Sequence, residues 1–116
     1  MRLPLTKESE QSMKRLPPIH PGEILWEEFM KPLELSQNAL ARHLGVDPRT
    51  VNQIVNGKRA ITAIMALRLA QYFRMTPGFW MNLQARYDLE TAKDAAEAEI
   101  RRTVKPRPMK QSDAAA

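Results

Sequence analysis

The chain has no cysteine among its 116 residues. Disulfides, thiolate metal sites and a zinc finger are therefore excluded. Histidine is scarce as well. His20 and His43 are the two present, and neither has an acidic neighbour at metal-ligand spacing, so no metal site and no cofactor is expected. No apolar run approaches the length of a membrane span, and the N-terminus lacks the apolar region of a signal peptide. No phosphate loop or nucleophile elbow is visible, so no enzyme and no small-molecule substrate are expected. The expected location is cytoplasmic, in a bacterial cell and associated with the nucleoid. Acidic residues are also nearly missing from the centre of the chain. From Ser36 to Tyr87, Asp47 is the one carboxylate, against Arg42, Arg49, Lys58, Arg59, Arg68, Arg74 and Arg86.

The charge that is present is uneven. The net formal charge is +5 and the pI about 9.9. Glu23, Glu27, Glu28 and Glu34 crowd the segment before that basic centre. A basic middle beside an acidic helix points to a polyanion on one face, with a merely solvated basic surface as the bland alternative. Glu23, Glu27 and Glu28 fall at a helix start, where the helix dipole accounts for them without an acid–base role.

The stretch from Ser36 to Gly57 carries the strongest signal. Ser36 is a good N-cap, and Ala39, Leu40, Ala41 and Leu44 follow at helical spacing. Gly45 is suited to the left-handed conformation that ends a helix. Asp47 is a second N-cap with Pro48 at the first helical position, and Val51, Ile54 and Val55 form an inner face closed by Gly57. Two helices joined by a short turn, with small Ala41 at their crossing, form a helix-turn-helix. Any helical hairpin of an all-α protein is the alternative. The basic outer face favours DNA reading, with the second helix in the major groove.

Around this pair the chain reads as follows. Residues 1–19 form a flexible N-terminal arm, with Met13 a possible second start. Pro17 to Gly22 approach a first helix in extended form, since residues before proline avoid helical angles. That helix spans Glu23 to Leu33, with Ile24, Leu25 and Phe29 on one face, widened by Trp26 and Met30, and with Pro32 ending it. His20 is expected to cap or pack rather than ligate. Thr62 caps a fourth helix, Ala63 to Phe73, with Ile64, Met65, Leu67, Leu69, Ala70 and Phe73 as its buried positions. Thr76 and Pro77 start a fifth, on which Phe79, Trp80, Leu83 and Tyr87 form an aromatic stripe. That stripe either roofs the core or forms part of a dimer seam. We expect both, with Phe79 inward and Trp80, Leu83 and Tyr87 at the interface of a homodimer. The fifth helix runs on to about Thr103 through good helix formers, and its far end is expected to fray. The domain covers residues 20–104, and residues 105–116 are a flexible basic tail whose prolines bar a helix.

Helix geometry nominates the contacts. Arg49, Thr50 and Gln53, with Asn52 as a weaker candidate, lie at the outward start of the second helix and suit base edges. Gln37 is placed for a phosphate, and Asn56, Lys58 and Arg59 for the flanking backbone.

These residues resemble the Xre/Cro-type repressors, and more specifically the HigA family of antitoxins, also known as VapI-like antidotes. The carrying stretches are H-P-G-E-I-L at 20–25, L-A-R-H-L-G-V at 40–46 and V-N-Q-I-V-N-G-K-R-A-I-T at 51–62. A-L-R-L-A at 66–70 and T-P-G-F-W-M-N-L-Q-A-R-Y-D-L at 76–89 complete them. The first and last are the more specific. The resemblance implies an all-α, five-helix, lambda-repressor-like helix-turn-helix domain with an extended C-terminal helix, acting as a homodimer. It implies two partners, a double-stranded DNA operator and a HigB-type mRNA-cleaving toxin, and repression of the protein's own operon. A solitary Xre-family regulator without a toxin is the alternative. The arm and the basic tail depart from the family pattern.

Overall fold

The computed structural model describes residues 16–109. Most of the expected arm and the end of the tail lie outside the described residues. Five helical segments follow one another: α1 (Pro21–Ile24, continuing as a π-helical stretch Leu25–Met30), α2 (Gln37–Leu44), α3 (Pro48–Val55), α4 (Ala63–Phe73) and α5 (Pro77–Thr103). No strand occurs among the described residues. No helix of these is long and apolar enough to cross a membrane.

The expected boundary signals act where the sequence places them. Ser36 Oγ accepts from the Ala39 N–H at 3.0 Å, Asp47 Oδ1 from the Arg49 N–H at 2.7 Å, and Thr62 Oγ1 from the Met65 N–H at 3.2 Å. Each satisfies one of the free amides of a first turn. Gly45, at φ 70°, ends α2 in the left-handed region. Thr76 has the extended backbone of an N-cap but its side chain makes no cap bond.

The first helix departs from expectation at both ends. It begins at Pro21 rather than Glu23, because His20 serves as its N-cap, with Nδ1 accepting from the Gly22 N–H at 2.9 Å. Proline at the first position then costs no hydrogen bond. From Leu25 the turns widen to i→i+5 bonding, as in the Lys31 N–H donated to the Trp26 carbonyl at 2.9 Å. That wider turn sets Leu25 and Met30, five apart, on one face, and both are fully buried. The helix stops at Met30, before Pro32.

One core joins all five segments. Leu25, Met30, Leu40, Ala41, Leu44, Val51, Ile54, Ile61, Met65, Ala66, Leu69 and Trp80 form it. Phe29 is the hub of its aromatic edge, with ring centroids 4.9 Å from Phe73, 5.9 Å from Phe79 and 5.0 Å from Trp80. Two expectations fail here. Ile64 and Leu67 are exposed, at 66% and 58%, because the inner face of α4 is the line Met65, Ala66, Leu69, Ala70. On α5 the roles of two neighbours are reversed: Trp80 is wholly buried in its own chain, whereas Phe79 is 38% exposed. The inward line of α5 is Trp80 and Gln84, one turn apart, which places Phe79 at the rim. Trp80 is therefore not a dimer-interface residue. Leu83 and Tyr87 are half-buried.

Candidate nucleic-acid interface

Helices α2 and α3 pack directly on each other, and α1 crosses the back of α3. That crossing is close enough that Gly22 faces the backbone of Ile54 and Val55 with no room for a side chain. The outer face of α3 is left free. Arg49 and Asn52 are exposed there, and Thr50 and Gln53 are half-buried at its edge. All four base-contact candidates thus belong to one short helix, whose N-terminal turn presents Arg49 and Thr50 first. Arginine offers a donor fork that suits guanine, glutamine an amide that suits adenine, and threonine a methyl that suits thymine.

The side chains around this face are tied together. Asn52 Nδ2 donates to Gln37 Oε1 at 2.9 Å, linking the start of α2 to the middle of α3. The bond uses one of the two Asn52 N–H donors and leaves the other, with the Asn52 side-chain oxygen and the Gln37 amide nitrogen, for another partner. Asn56 Nδ2 donates back to the Asn52 carbonyl at 2.9 Å, finishing α3. Arg59 Nη1 lies 3.5 Å from Thr50 Oγ1, which brings the loop after α3 to the start of that helix. Lys58 is exposed in the same loop. The structure thus brings Gln37, Arg49, Thr50, Asn52, Gln53, Asn56, Lys58 and Arg59 into one neighbourhood.

The electrostatics of this face are simple. Described ion pairs such as Lys31–Glu27, Arg86–Glu90 and Arg101–Glu97 lie at α1 and along α5. No described ion pair takes Arg42, Arg49, Lys58, Arg59, Arg68 or Arg74. Of these, Arg68 and Arg74 lie on the α4 side with His43 and Tyr72, and Arg68 Nη1 donates to the Leu44 carbonyl at 2.8 Å, capping the end of α2. Among the described residues no cluster of three His, Asp or Glu could hold a metal ion.

Sequence reasoning missed Gln84. It is 5% exposed, its Oε1 accepts from the Ile61 N–H at 2.8 Å, and its Nε2 donates to Asp88 Oδ1 at 2.9 Å. Its signal was a polar residue at the i+4 position from Trp80, on the line that turns out to face inward.

A helix-turn-helix family model matches residues 27–80, from α1 to the start of α5. The chain is similar to the Pseudomonas aeruginosa antitoxin HigA, whose structure was solved with the higBA promoter. Identity is 48%, with 78% of this chain and 99% of that one covered, and the TM-score is 0.77. This chain is a member of the HigA family of helix-turn-helix antitoxins. Virulence-associated protein I of Dichelobacter nodosus is 51% identical over 78 residues, which is 67% of this chain and 72% of that protein. A Haemophilus influenzae protein described as a helix-turn-helix transcriptional regulator is 50% identical over 72 residues, covering 62% and 67%. The HigA family comprises DNA-binding antitoxins and regulators, so this member is not an enzyme. The five-helix reading and the family resemblance drawn from the sequence both hold.

Proposed function

We propose that the protein is the antitoxin of a toxin–antitoxin pair and a repressor of its own operon. In this reading α3 lies in the major groove of an operator, with Arg49, Thr50, Asn52 and Gln53 at base edges. Gln37, Asn56, Lys58 and Arg59 hold the flanking phosphates. Two copies act together, because a helix-turn-helix dimer meets two half-sites about one helical turn, roughly 34 Å, apart. The second copy packs on the Leu83 and Tyr87 edge of α5. The toxin is of the HigB type, an mRNA-cleaving enzyme that the antitoxin neutralises by direct binding. The observation that carries the proposal is the unpaired basic surface around α3, on a chain 48% identical to a HigA solved with its promoter.

The test is co-expression with the small gene beside this one. Expected is growth arrest by the neighbour alone, with rescue and co-purification when this protein is present. A harmless neighbour, or one that does not bind, refutes the toxin pairing and leaves the second reading, a solitary regulator. The description of the Haemophilus relative as a transcriptional regulator favours that alternative.

A further inference from the structure

The loop between α3 and α4 is held from below by residues far away in sequence. Gly57, at φ 73°, turns the chain out of α3, and the His20 ring lies against it, with Cγ 3.7 Å from where a Cβ would stand. The Arg59 backbone lies near the same ring and favours its charged form. Its ring meets Tyr87 edge-on, with centroids 4.8 Å apart. At the other end of the loop, the Ile61 N–H is held by Gln84, which is itself oriented by Asp88. Lys58 and Arg59 sit between these two anchors. They are exposed; on the α3 side the Lys58 N–H donates to the Gln53 carbonyl at 2.8 Å and Arg59 Nη1 lies near Thr50 Oγ1, while from the core side the loop is met by His20 and Gln84. The two most distinctive stretches of the sequence, H-P-G-E and L-Q-A-R-Y-D, therefore meet under the same five residues.

We propose that His20, Gln84 and Tyr87 are a clamp that positions Lys58 and Arg59 on the phosphate backbone of DNA. The inference rests on the DNA-binding reading above and assigns it three positioning residues, none of which touches DNA. A buried glutamine committed to a loop amide fixes where the loop ends. A ring wedged under Gly57 and backed by Tyr87 fixes how far it stands off the core. Freed from either, Lys58 and Arg59 keep their charge but lose their register with the phosphates.

The test uses the full chain and a DNA fragment from upstream of its gene, with affinity followed against salt. Gln84→Ala is expected to weaken binding at least about tenfold and to flatten the slope of log K against log salt by about 2, as loss of the Lys58 and Arg59 phosphate contacts does. Combining it with Lys58→Ala should flatten the slope no further, because the Lys58 contact is already lost. Gln84→Glu paired with Asp88→Asn retains the acceptor for Ile61 and reverses the donor to position 88, and should restore most of the slope. Fully additive slopes in the Gln84→Ala, Lys58→Ala double variant, or an unchanged slope in Gln84→Ala, overturn the clamp. Should Gln84→Ala fail to fold, His20→Ala at the half-exposed anchor is paired with Arg59→Ala in the same cycle and judged by the same outcomes. A DNA-free readout separates the clamp from the DNA reading. In His20→Ala, hydrogen exchange should quicken at the Lys58 and Ile61 amides while Val51 and Ile54 stay protected. Unchanged exchange at those loop amides overturns the clamp, whereas absence of DNA binding by the wild type overturns only the function on which it rests.

Discussion

Gly22→Ala is the sharpest test of how the fold places its recognition helix. An ideal Cβ at this position would stand 1.7 Å from the Ile54 carbonyl oxygen, 2.6 Å from its carbon and 3.0 Å from the Val55 Cα. Ordinary contact begins at 3.4 Å. All three obstacles are backbone atoms in the last turn of α3, so no rotamer change relieves the clash. Either α1 or α3 must back away, by well over an ångström, in a core where Leu25, Val51 and Ile54 are each 1% exposed. Overpacking costs about 1–3 kcal/mol and sometimes more. With backbone against backbone we expect about 3 kcal/mol at least, a large part of the roughly 5–15 kcal/mol that holds a domain together. With a urea m-value of about 1–3 kcal/mol per molar, the midpoint should fall by about 1 M or more. Urea unfolding followed by tryptophan fluorescence measures it, since buried Trp80 reports the core directly. Gly78→Ala is the internal control. Nothing lies within 4 Å of its Cβ, and it sits in the first turn of α5, so a gain of about 0.4–1 kcal/mol is expected. An unchanged midpoint in Gly22→Ala would refute the close crossing of α1 on α3.

Three further outcomes follow from the same geometry. Arg49→Ala should cost about 1–3 kcal/mol of specific DNA binding and relax selectivity at one base position, measured by competition among single-base operator variants. Lys58→Ala should weaken all sequences alike and reduce the salt slope by about 1, read from binding isotherms at several salt concentrations. His20 titrates below its usual 6.5 because burial disfavours its charged form, against the opposing pull of the Arg59 backbone and Asp88. The folded state thus favours the neutral ring, so the stability it confers is complete above pH 6.5. That stability shrinks as the pH falls below 6.5 and levels off beneath the folded value. The stability difference between wild type and His20→Ala should accordingly narrow from pH 7.5 to pH 5, as followed by urea midpoints.

The middle of the fold was legible because its signals are local. Ser36, Gly45, Asp47, Pro48 and Thr62 act within one turn of themselves, and each does what its chemistry suggests at that spot. What was misread depends on which way a helix is rolled. A periodicity of Phe79, Trp80, Leu83 and Tyr87 defines a broad stripe but not which residue leads it. The packing of Phe29 and the engagement of Ile61 by Gln84 decide that Trp80 points inward. Ile64 and Leu67 were likewise read as core because they are apolar, although the narrower line through Met65 and Leu69 suffices to cover α4. His20 was expected to cap or pack and does cap, but the run from Pro17 to Gly22 was read as extended, so the start of α1 was placed two residues late; Gly22 gave no hint that its missing side chain leaves room for the backbone of α3. At the candidate site, the nominated residues were legible from helix geometry. The support beneath them, His20 and Gln84 above all, was not, since it joins segments about twenty to seventy residues apart.

The measurement that bears most directly on the central claim is a footprint of the pure protein on the DNA upstream of its own gene. The comparison pairs wild type with an Arg49→Ala, Gln53→Ala double variant. The account predicts protection of two half-sites about one helical turn apart by the wild type. It predicts loss of that pattern in the variant, with weak sequence-independent binding retained through Lys58 and Arg59. Identical footprints from the two proteins, or no protection by the wild type beyond that on unrelated DNA, would contradict the assignment of α3 as the reading helix.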